Sequence, residues 1–209
     1  MLLDFEKLPP RDGYAWMTSV ITPRPIAWVS TMSADGKLNL APFSFFQGVC
    51  SNPPTLLFVP TNNRDGGKKD TLRNIEAVPE FVVNVVPHAL AAQMNATSAP
   101  LPYGESEFGH ADLATAPSSK VRPPRVAGSP VAIECRLDRV VEGGSGVGAG
   151  NIVLGRIVAM HVDEAVLGAD GKIDALKLDL IARMGGDYYC RTRDIFQIER
   201  PRGGSAVRS

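Results

Sequence analysis

Three polar patches in the first third of the chain could do chemistry. Ser30-Thr31 ends the apolar run PIAWVST with two hydroxyls. Asn39 to Ser44 (NLAPFS) carries a second run into a proline, where the backbone becomes partly unpaired. Lys68-Lys69-Asp70-Thr71 places cations and a hydroxyl at the start of the helix-like KKDTLRNIEAV. Lys69 beside the amides of a helix N-terminus offers a phosphate monoester charge, donors and a favourable dipole. Unpaired amides and carbonyls around NLAPFS suit the edge of a flat heteroaromatic ring. Taken singly, each patch reads first as capping or solvated surface.

Other motifs carry less. Gly144, Gly146 and Ala149 match GxGxxG/A in form, but a dinucleotide site needs a helix next, and the segment that follows is the β-branched IVLGRIV. His88, His110 and His161 are widely spaced, and no ligand pattern groups them. No GxSxG elbow is present. Cys50, Cys135 and Cys190 form no CxxC pair and are expected to be buried free thiols. Lys120, Arg122 and Arg125, interleaved with prolines, read as solvated loop ahead of an anion site.

The elements that must position these residues are mostly strands. Pro25–Thr31, LNLAP, Thr55–Pro60 and Glu80–Val86 are apolar and β-rich, and Asp35-Gly36 marks a hairpin between the first two. A short helix over KKDTLRNIEAV takes Asp70 as its N-cap, and HALAAQMNATSA forms a second. Glu105–Pro130 lacks periodicity and reads as an irregular surface crossing. Val131–Glu142 and Asn151–Leu167 flank GGSGVGAG as a hairpin. Ala175–Met184 reads as a helix capped by Asp174. Many strands with few short helices predict a mainly β, antiparallel, closed or semi-closed barrel rather than a doubly wound fold. One domain spans 1–200, with a disordered tail over 201–209.

The composition narrows the function. With 22 Lys+Arg against 22 Asp+Glu the chain is neutral overall, without the basic excess of a phosphate-tracking nucleic-acid binder. No run approaches the ~18 apolar residues of a membrane span, and the acidic, proline-containing start lacks the form of a signal peptide, so the expected location is the cytoplasm. The 20 glycines and 17 prolines are above average usage and fit a turn-rich chain.

The segments TPRPIAWVST, DGxxNLAPFSFFQGVCSNPPTLLFV, KKDTLRNI, EFVVNVV, PPRVAGSPVAIECRL, LGRIVAMHVDEAVL with DGKID, and ARMGGDYYCRT occur in family order from about Trp16 to Pro201. They resemble the flavin reductase-like family with an FMN-binding split barrel. The nearest subgroup includes the reductase component of nitrilotriacetate monooxygenase and flavoredoxin-type carriers. The resemblance implies a Greek-key-like split β-barrel and a homodimer that holds FMN noncovalently near its interface. It also implies reduction by NADH or NADPH and a partner monooxygenase or other electron acceptor. Carried over by position, Arg24, Ser30, Thr31, Lys69 and Thr71 would hold phosphate and ribityl groups. Asn39, Ala41, Pro42, Phe43 and Ser44 would line the ring. Arg183 and Tyr188 would lie near the flavin, and His161 on the nicotinamide side. Two activities follow: an NAD(P)H:flavin oxidoreductase, or an FMN electron carrier without its own nicotinamide site. The chain departs from the family pattern at Met184, which replaces a leucine, and in the extra glycines of GGSGVGAG.

Overall fold

The computed structural model describes residues 1–201. Residues 202–209, most of the segment expected to be a disordered tail, lie outside the described residues. Helix α1 (Pro10–Val20) precedes four strands: β1 (Ala27–Met32), β2 (Leu38–Phe43), β3 (Phe46–Ser51) and β4 (Pro54–Phe58). Helix α2 (Asp70–Ala77) and β5 (Glu80–Asn84) follow, then two short helices, α3 (Ala91–Ala96) and α4 (Glu107–His110). After a two-residue pair, β6 (Thr115–Ala116) with β7 (Arg125–Val126), come the long strands β8 (Val131–Glu142) and β9 (Asn151–Val162). The chain ends with helix α5 (Ala175–Leu178) and the hairpin of β10 (Ile181–Arg183) and β11 (Tyr189–Arg191).

Seven strands form one sheet in the order β2-β1-β5-β8-β9-β4-β3, antiparallel at every step. The two edge strands, β2 and β3, are consecutive in the chain and joined only by Ser44 and Phe45. That short link brings opposite ends of the order together, so the sheet curls round while β2 and β3 stay unpaired. The result is a mainly β, split barrel with a few short helices.

The barrel interior is filled from both sides of its own curve. Ala27, Val29, Phe43, Phe58, Phe81, Cys135 and Val153 close over Leu72 and Ile75 of α2. On the outer face Trp28, Leu40, Phe108, Val126 and Ile181 pack beneath α3 and α4. The Trp28 indole N–H donates to Thr97 Oγ1 at 2.8 Å, satisfying the one polar atom of a fully buried ring.

Several elements differ from the sequence expectation. Ala175–Met184 is not one helix: α5 stops at Asp179, which is left-handed (φ 44°), and Ile181–Arg183 becomes a strand paired with Tyr189–Arg191. Asp174 does cap α5, accepting from the Leu176 and Lys177 amides. Helix α2 starts one residue earlier than expected, with Lys69 at the N-cap and Asp70 in its first turn. HALAAQMNATSA divides into a 3-10 turn (His88–Leu90) and α3. Of the three thiols only Cys135 is buried, and burial pushes its pKa strongly upward; Cys50 is exposed.

Edge strand β2 is covered rather than left open to other strands. The Leu40 amide donates to Glu107 Oε2 at 2.8 Å, and Glu107 is 7 % exposed. Burial pushes the Glu107 carboxyl above its ordinary range. Glu107→Gln should therefore leave stability at neutral pH unchanged or higher, since an amide oxygen can still accept. Glu107→Ala should lose about 1–2 kcal/mol, read by chemical denaturation, because it orphans a buried N–H.

Candidate functional site

Side chains alternate along β1, and this alternation sorts the predicted site residues. Thr31 faces α2 inside the barrel, where its Oγ1 accepts from Asn74 Nδ2 at 3.1 Å. Next to it, Asn39 Nδ2 donates to Thr71 Oγ1 at 2.9 Å. These four residues are all buried. They form a polar cluster that ties β1 and β2 to the first turns of α2. Asn74 Oδ1 has no donor, and Asn74 lines a small cavity of about 10 Å³ together with Ser33, Asn39 and Asp70.

The start of α2 is electrostatically open. No side chain caps it, and while the Leu72 amide turns back to Lys69 O at 3.0 Å, the Asp70 and Thr71 amides keep their capacity for an anion. Lys68 is drawn to Glu76 at 2.5 Å and Glu142 at 3.9 Å, whereas Lys69 has no carboxylate within ion-pair reach among the described residues. Burial holds the Asp70 carboxyl above its ordinary range, opposed by Arg73 and Lys69.

The loop before α2 is held by the glycine-rich hairpin tip. Asn62 Nδ2 donates to Gly146 O at 3.0 Å, its amide to Ala149 O at 2.9 Å, and its Oδ1 accepts from Asn151 Nδ2 at 2.8 Å. Residues 143–150 are thus a strap on the loop that delivers Lys69, which fits their failure to begin a helix. Glycine is needed there, because Gly146 and Gly148 have φ of 85° and 74°.

A second group forms at the β2–β3 turn. Arg24, 5 % exposed, donates to Thr18 O (2.7 Å), Ile21 O (2.6 Å), Met184 O (2.9 Å) and Ser44 Oγ (3.3 Å). Burial lowers its pKa, and Arg183 adds to that. Its guanidinium is engaged by protein, so it joins α1, the Ser44 turn and β10. Arg24 and Arg183 are paired through their backbones. The Arg183 side chain donates to Tyr189 Oη and Gly186 O. Tyr188, at the hairpin tip, is 77 % exposed. Along β2, Ala41 and Phe43 pack on the interior cluster, while Pro42 alternates to the other face.

Two expected site residues stand apart. Ser30 points to the outer face, where its hydroxyl donates to Pro124 O at 2.5 Å and accepts from Asn84 Nδ2 at 3.4 Å. Being fully buried and on the face opposite α2, it cannot share a ligand group with Thr31. His161 also lies on the outer face, where Nε2 meets Glu134 Oε1 at 2.5 Å. Glu134 accepts further from the Ser119 amide (2.7 Å) and the Lys120 amide (2.6 Å), so the pair fastens the 117–125 loop to the barrel. Ser119 Oγ approaches the same imidazole nitrogen, at 3.5 Å, so the three side chains lack the relay of a hydrolytic triad. Sequence reasoning missed Glu134, Asn62 and Asn74. Glu134 left a signal, an acid set among the apolar residues of VAIEC.

Residues 17–177 match the family model described as the flavin reductase like domain. An uncharacterized protein of Deinococcus radiodurans is 40 % identical over 204 residues, covering 94 % of this chain and 88 % of the relative. The solved structure of nitrilotriacetate monooxygenase component B from Bacillus cereus is similar at a TM-score of 0.89 and 32 % identity, covering 95 % of this chain and 98 % of that one. That of Pseudomonas fluorescens 2-nitrobenzoate 2-nitroreductase has a TM-score of 0.88 at 27 % identity, covering 99 % of this chain and 100 % of the other.

Proposed function

The chain belongs to the flavin reductase-like domain family, and from that premise we propose that it is an FMN-binding oxidoreductase reduced by NADH or NADPH. The observation that carries the reading is the uncapped start of α2 with Lys69 unpaired beside it. A phosphate monoester there would meet a cation and open amides together. Lys69, Thr71 and Asn39 would hold the phosphate and ribityl end, with Thr31 fixing their helix through Asn74. Ala41, Pro42, Phe43 and Ser44 would border the ring, partly through backbone atoms. Arg24 would act by placing Ser44, and Arg183 and Tyr188 would border the cleft from the β10–β11 hairpin.

When bound, FMN supplies the ring that accepts hydride from a nicotinamide. The protein's part is then to hold phosphate, orient the ring and exclude water, which needs no acid–base pair. His161, committed to Glu134 on the outer face, is better read as a positioning residue for the 117–125 loop. A homodimer in the cytoplasm, passing electrons to a partner monooxygenase or another acceptor, fits the family. Among the described residues no helix is long and apolar enough to cross a membrane.

An anaerobic absorbance titration tests the reading: FMN bound to the protein should bleach with NADH or NADPH. Bound FMN that neither donor reduces would leave an electron carrier instead, and failure to bind FMN would remove both. Lys69→Ala should weaken FMN about tenfold while leaving riboflavin, which lacks the phosphate, unaffected. Equal weakening of the two would dissociate Lys69 from the phosphate.

A further inference from the structure

A second concavity lies on the outer face, across the sheet from α2. Met94 and Ala91 of α3 and Ile181 of β10 make its floor, and Met94 and Ile181 are 1 % and 5 % exposed. The Tyr189 ring forms a wall, its hydroxyl taken by Arg183. The volume is about 210 Å³. An aliphatic cavity of about 150 Å³ accepts benzene, so one ring with a small substituent fits here.

The rim is charged, and its balance is uneven. Arg191 donates through Nε to Asp179 Oδ1 at 3.0 Å and through Nη2 to Oδ2. Arg193 approaches the same carboxylate at 3.5 Å, and His88, whose amide donates to Asp179 O at 2.8 Å, stands at the edge of the cavity. Two guanidinium groups, Arg191 on the lining and Arg193 beyond it, share one carboxylate, which leaves a net positive charge beside the apolar floor. That combination selects a ligand with a flat apolar body and an anionic end.

We propose that this pocket is a binding site for a single-ring aromatic carboxylate, separate from the flavin cleft. The ring lies on Met94, Ala91 and Ile181, and the carboxylate meets the arginines and His88 at the rim. Binding requires both halves. Apolar burial alone gives a weak site open to solvent, and rim charge alone is screened by salt.

Titration calorimetry with benzoate, acetate and benzyl alcohol on FMN-saturated protein tests this. Benzoate should bind one per chain with the flavin spectrum retained, and the other two should bind at least about tenfold more weakly. Ala91→Phe, which fills the floor, should abolish benzoate binding. Arg193→Gln, on an exposed residue that spares the fold, should weaken benzoate about tenfold without changing benzyl alcohol. No benzoate binding at millimolar concentration, acetate binding as well as benzoate, or benzoate expelling FMN would each overturn the site. So would unchanged affinity in either folded variant. The same titration on protein without flavin keeps this test separate from the flavin reading.

Discussion

Gly155→Ala should cost about 3 kcal/mol or more of stability, a large share of what a domain of this size possesses. A Cβ at position 155 would stand 2.2 Å from Phe81 Cζ, 2.9 Å from Cε1 and 3.3 Å from Cys135 Cβ. Phe81 is wholly buried and has no vacant direction to turn. Its ring meets Phe58 edge-on at 5.3 Å, and Phe58 meets Phe43 at 5.2 Å. Displacing Phe81 therefore presses along three aromatics to the residue before Ser44. Urea denaturation measures the loss. The double variant Gly155→Ala/Phe81→Leu should recover part of it, because the two sites share one volume. A Gly155→Ala protein within about 0.5 kcal/mol of the parent would contradict this packing.

Glu134→Ala is the second large effect, about 3 kcal/mol, because it strands two backbone amides and an imidazole around a fully buried position. It also has a pH signature. Burial pushes the Glu134 carboxyl up, but the Ser119 amide, His161 and the Lys120 amide together outweigh it, and its pKa is lowered in the fold. A lowered carboxylate pKa contributes stability above the unfolded value, and that contribution is lost as pH falls through the folded one. Glu107 runs the other way: raised by burial, it makes the fold less stable as pH climbs through the ordinary carboxylate range. Denaturation followed from neutral to acid pH should show Glu134→Ala with a flatter acid limb than the parent. It should also show early protease cleavage in residues 117–125, which Glu134 tethers. An acid limb identical to the parent's would mean that Glu134 is not the group lost there.

Much of this protein was legible in its residues because the signals were local. The β-branched runs became strands, Asp35-Gly36 turned the first hairpin, and the glycine run joined β8 to β9. Lys69 at a helix start follows from neighbours one or two positions away. The helix expected over Ala175–Met184 failed because pairing with Tyr189–Arg191 overrode local propensity beyond Asp179.

What the sequence determined by itself was the strand-rich architecture, the family and the segments proposed to border a phosphate. Which side each residue serves was decided by the tertiary structure. Strand β1 is buried on both faces from Ala27 to Thr31, so its alternation carries no mark of inside or outside. Ser30 and Thr31, adjacent in sequence, are parted by the sheet. His161 meets Glu134, 27 residues away, only through the hairpin register, and that register is shifted by irregularities between Glu134 and Cys135 and between Leu137 and Arg139. Local chemistry chose the elements. Only the curl and register of the sheet could choose their neighbours, because those depend on contacts between residues far apart in the chain.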